Sequence, residues 1–66
     1  MTLANLKRGI EIVARYVGED ETLPGAEHDV IFLASSQLPL SDDDRVELIR
    51  LGFRLSDHYD CWCAYA

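Results

Sequence analysis

Cys61-Trp62-Cys63-Ala64-Tyr65 is a run of five strand-compatible residues that is apolar at every position. Side chains along a strand alternate between two faces. A strand without a polar face cannot lie open to water and belongs in the middle of a sheet. Its neighbours can be read nearby. Phe53-Arg54-Leu55-Ser56 alternates apolar and polar, as a half-buried strand does, and Asp57-His58-Tyr59-Asp60 joins the two as a turn. Asp29 to Ala34 is a third, nearly unbroken apolar run, bounded by polar residues at Ser35-Ser36-Gln37. The expected sheet has three antiparallel strands in the order 53–56, 61–65, 29–34.

Two helices complete the reading. Thr2 can cap the first. Leu3, Leu6, Ile10, Val13, Ala14 and Val17 recur at spacings of three and four and form its expected core stripe. Glu11 and Arg15 stand four apart as a favourable pair, and Gly18 is placed for a left-handed C-terminal cap. Ile12 and Tyr16 fall outside the stripe beside Gly9, where they would be scattered surface residues, contact the sheet edge, or form a small partner-contact patch. Residues 19–28 read as a loop around Pro24-Gly25. The second helix begins after Ser41, with Asp44 completing a capping box, and ends near Leu51 with Gly52 as cap. At roughly 100° per residue, Leu48 and Leu51 share one side while Val46 and Ile49 lie nearly opposite. One pair can face the core of a small domain; the other packs under a loop or faces a partner. The order is α-β-α-β-β, an α+β fold with both helices on one face of the sheet.

The chain has 66 residues, 48% of them apolar, and carries 12 acidic against 6 basic side chains, a net charge of −6. Residues 1–66 make a single domain. A domain of about 60 residues buries only roughly 60% of the surface its unfolded chain exposes, so a partner can add to its stability. No apolar run approaches the roughly 20 residues that span a bilayer, and no secretory signal is legible. The expectation is a soluble intracellular protein. The charge is uneven: +2 over residues 1–18, −5 over 19–29 and −3 over 41–60. Surplus acid disfavours direct contact with nucleic acid or anionic lipid and favours a basic partner. Three aspartates at 42–44 also suit a helix N-terminus, where the dipole favours negative charge.

Motifs for chemistry are weak. Cys61 and Cys63 are expected on one strand face, with Cα atoms about 7 Å apart, beyond easy bridging. A zinc site needs four ligands, and beyond this pair only His28, His58 and carboxylates offer themselves, so the cysteines read as core residues. His28 lies between Glu27 and Asp29, whose side chains diverge on an extended chain. The serines have no His–acid arrangement, and there is no phosphate-binding glycine loop. A non-enzyme without cofactor or metal is expected.

Three stretches together, Ala26-Glu27-His28-Asp29-Val30-Ile31-Phe32, then Leu40-Ser41-Asp42-Asp43-Asp44 leading to Leu48, Leu51, Gly52 and Phe53, then Tyr59-Asp60-Cys61-Trp62-Cys63-Ala64, resemble a group of small acidic proteins encoded by phages and prophages. Arg45 departs from that pattern, which has an apolar residue there. The resemblance implies a protein of the infected bacterial cytoplasm and an anti-CRISPR role, several such proteins acting by mimicking nucleic acid. The expected binding face then combines Glu19, Asp20, Glu21, Asp42, Asp43, Asp44, Glu47, Asp57 and Asp60 as charge with Val46 and Ile49 as apolar contact, and Ile12, Tyr16 and Tyr59 as further apolar candidates. Its partner would be a basic nucleic-acid-binding protein such as a CRISPR effector subunit. The protein itself is expected as a monomer or weak homodimer; the alternative is a homo-oligomeric phage structural or accessory protein.

Overall fold

The computed structural model describes residues 1–18, 25–27 and 29–65. Its elements are α1 (Leu3–Val17), β1 (Gly25–Glu27), β2 (Val30–Ser35), α2 (Asp42–Leu51), β3 (Arg54–Ser56) and β4 (Cys61–Tyr65). The strands form an antiparallel sheet in the order β1-β2-β4-β3. The α+β class is as expected, and β3, β4 and β2 are neighbours in the expected order. The sheet has a fourth strand, however. Gly25–Glu27, read from sequence as loop, pairs with Val30–Phe32. Its residues carry no apolar alternation, so the backbone ladder, invisible in side-chain pattern, is what makes it a strand. Both interior strands are the apolar runs, and both edges are only three residues long, which limits the exposed template for further pairing.

The pairing of β2 with β4 slips between Phe32 and Ala34. Phe32 lies opposite Cys63 and Ala34 opposite Trp62, leaving Leu33 as the extra residue of a bulge. Regular alternation would send Leu33 and Ala34 to opposite faces. Here both join the main core, with Ile12 and Val13 of α1, Leu48 of α2, and Trp62 and Ala64 of β4. Both helices therefore cover one face of the sheet. On the other face Val30, Cys61 and Cys63 form a smaller cluster with Phe32 and Tyr59. The Phe32 and Tyr59 rings are 4.8 Å apart.

The core stripe expected for α1 is displaced around the helix. Gly9, Ile12 and Val13 are its buried residues, Tyr16 and Leu6 pack against the core, and Leu3, Ile10 and Val17 are exposed. Gly9 explains the rotation. A Cβ placed there would overlap the ring of Phe53, which is fully buried. The helix turns its smallest residue toward the largest fully buried side chain, and Ile12 follows it inward. Ile12 and Tyr16 are thus core-facing, not a contact patch. Thr2 caps α1 as expected, its Oγ1 accepting from the Asn5 N–H at 3.1 Å. Gly18 has positive φ but extended ψ, so the left-handed cap is not formed. At the other end of α2, Gly52 does adopt the left-handed conformation, with φ 110° and ψ 4°.

Candidate protein-binding face

α1 and α2 run antiparallel. Asn5, near the start of α1, donates to the carbonyl of Leu51 at 3.1 Å, while Tyr16, near its end, meets the start of α2. The expected capping box is built in a modified form. Ser41 Oγ accepts from the Asp44 N–H at 3.2 Å. The return bond, in which the Ser41 N–H would donate to the Asp44 carboxylate, is replaced by Tyr16. Its hydroxyl accepts from the Ser41 N–H at 3.0 Å and donates to Asp44 Oδ2. An aspartate is one methylene shorter than the glutamate usual at this position, and the tyrosine hydroxyl fills the gap. Arg15 approaches the same carboxylate at 3.5 Å.

This network holds the Asp44 carboxyl below the usual carboxylate range. The Tyr16 hydroxyl is the main cause; partial burial opposes it, and Ser41, Arg15 and Arg8 add to the lowering. Arg15 therefore serves Asp44 and not Glu11, which lies instead 3.6 Å from Arg8. Of the sequence-predicted site residues, Asp44 is thus committed to holding the two helices together. Tyr16 and Arg15 were not foreseen in this role. The one legible signal was the short aspartate in a position that favours glutamate.

The other acids divide. Asp42 and Asp43 are exposed in the first turn of α2. Glu47 pairs with Arg50 at 3.0 Å. Asp60 shapes the turn before β4: it has φ 54°, accepts from the Ser36 hydroxyl at 2.7 Å, and its carbonyl accepts from the Ser36 N–H at 3.3 Å. This ties the turn 57–60 to the segment that leads into α2. Asp57 is exposed in the same turn. Glu19, Asp20, Glu21 and His28 lie outside the described residues. Tyr59 is engaged with Phe32 and with His58, whose ring is 4.7 Å away, so it belongs to the smaller cluster.

Val46 and Ile49 are 58% and 50% exposed, whereas Leu48 is fully buried. At roughly 100° per residue, Asp42, Val46 and Ile49 share the face of α2 opposite Leu48. Asp43 and Arg50 flank this stripe on one side and Arg45 on the other. The sequence's two-sided helix is thus resolved: Leu48 and Leu51 pack inward, and the other pair faces solvent.

Cys61 and Cys63 are free and buried. Burial is the main cause that pushes the Cys61 thiol up, with Cys63 and Asp60 contributing. Among the described residues no group of three or more His, Cys, Asp or Glu side chains is arranged to hold a metal ion, and no helix is long and apolar enough to cross a membrane. Comparison with models of protein families, with curated proteins and with solved structures finds no match.

Proposed function

We propose that this chain is a non-enzymatic binding protein whose α2 face occupies a basic, nucleic-acid-binding surface of a host protein and so blocks nucleic acid there. The observation that carries the reading is the solvent-facing stripe Asp42, Val46 and Ile49 with Asp43 beside it. Two isolated surface apolar residues need no explanation. Two adjoining ones, on a helix that opens with two exposed carboxylates, combine the charge that steers a basic partner with the contact that desolvation rewards. The resemblance to small acidic phage proteins makes a CRISPR effector subunit the first partner to try, and an anti-CRISPR role the particular form of this function.

The test is charge reversal. Asp42→Lys, Asp43→Lys and Glu47→Lys combined should weaken binding to an effector subunit and restore its DNA binding, with circular dichroism confirming the fold. Unchanged inhibition by the folded variant rejects the acidic-face mechanism. The exposed Val46–Ile49 pair also suits a second reading, self-association through α2 in a phage structural or accessory protein. Loss of self-association in Ile49→Lys, measured by sedimentation, would favour that reading.

A further inference from the structure

We infer that α1 is a homodimer interface, formed by antiparallel pairing of two copies about a two-fold axis at Ile10. The rotation of α1 that buries Gly9 and Ile12 leaves Leu3, Ile10 and Val17 at 85%, 39% and 38% exposure. These residues recur every seven positions, so they drift only about 20° per repeat and line one edge of the helix. By helical geometry that edge is turned away from Asn5, Ile12 and Tyr16, the side that meets α2. The half-buried Leu6 and Ala14 border it. A 15-residue helix is about 22 Å long, and the molecule measures 27 × 23 × 22 Å. The edge therefore runs most of the way across the protein.

Its pattern says what covers it. Leu3 and Val17 lie equally far from Ile10, seven residues to either side. A two-fold axis at Ile10 sets Ile10 against itself and Leu3 of each copy against Val17 of the other. The charges complement in the same arrangement. On this flank the helix carries Lys7 and Glu11, and antiparallel pairing brings Lys7 of each copy beside Glu11 of the other. Lys7 has no ion-pair partner among the described residues. The remaining basic residues of α1 do not oppose association: Arg8 lies by Glu11 and Arg15 by Asp44, toward the other side of the helix. Such an interface is isologous and closes at two copies. Contact along one helix falls at the small end of interface sizes, below about 1,200 Å², so the dimer depends on concentration. It leaves both α2 faces free.

Sedimentation of the whole protein over a wide concentration range, with light scattering, tests the inference. The parent chain should pass from monomer to dimer as concentration rises. Ile10→Lys should remain monomeric with an unchanged circular dichroism spectrum, while Ile49→Lys should dimerise as the parent does. Lys7→Glu and Glu11→Lys should each weaken the dimer, and the two together should restore it. Ile10→Cys should form a covalent dimer on mild oxidation, because each copy meets itself at that residue, and Leu3→Cys should not. A parent that stays monomeric throughout, or a dimer lost in Ile49→Lys and kept in Ile10→Lys, overturns the assignment. The latter result would place self-association on α2; neither touches the charge-reversal test of partner binding.

Discussion

Gly9 lets α1 pack its backbone directly on the Phe53 ring. In an isolated helix, Gly9→Ala would gain about 1 kcal/mol of propensity. In the folded protein the added methyl overlaps the Phe53 ring, and overpacking of a close-packed core costs about 1–3 kcal/mol. Phe53 is fully buried and has no solvent-exposed position to retreat to. We expect Gly9→Ala to destabilise the protein, measured by urea denaturation, and Phe53→Leu to recover part of the loss when combined with it. A stabilised Gly9→Ala would show that the ring yields freely. Tyr16 is the second such residue. The Asp44 carboxyl ionises below its unfolded value, so its contribution is fully present above about pH 4 and is lost as pH falls through the folded value. Tyr16→Phe removes the main cause of that lowering. The variant should be less stable than the parent at pH 7, and the gap should narrow as the pH falls below about 4. A gap that stays constant from neutral to acid pH would separate Asp44 from Tyr16. Neither role shows in the apolar periodicity of α1. Periodicity alone ranks Gly9 as a defect and Ile12 as off-stripe, because it weighs apolarity and cannot see that a buried ring needs an empty place on the facing helix.

At the scale of elements, α2 was the most legible, because its limits are set by local chemistry. Ser41 and Gly52 act within a turn of themselves, and no distant contact is needed to place them. Ser41→Ala should cost about 1 kcal/mol, read as a lower denaturation midpoint. The faces of the same helix should differ sharply. Leu48→Ala removes a fully buried side chain and should cost about 2–5 kcal/mol, whereas Val46→Ser should stay within about 0.5 kcal/mol, as surface changes do. A large loss from Val46→Ser at low protein concentration would mean that this face is covered within the chain. β1 was the least legible element. Its three residues hold their place through the ladder to β2, and a sequence shows side chains, not ladders. The bulge at Leu33 was hidden for a related reason: a continuous apolar run looks the same whether or not its alternation slips.

For the whole molecule, the mapped charge anticipated part of the candidate face. Asp42, Asp43 and Asp57 stand exposed, and the turn that holds Asp57 is tied to Ser36. Asp44, Glu47 and Asp60 turned out to have partners of their own. Charge along a chain does not reveal which carboxylates a fold will use internally. The position of β4 has a practical consequence. Its two thiols point to the face that the helices leave open and are buried there against Val30, Phe32 and Tyr59. Reaction of Cys63 with a thiol reagent should therefore report the opening of that small cluster, at or before global unfolding. Where reclosing outpaces labelling, the ratio of its labelling rate to that of a free thiol should equal the equilibrium fraction in which the cluster is open. The chain thus carries, in native buffer and without an added dye, its own gauge of how firmly its second face is closed.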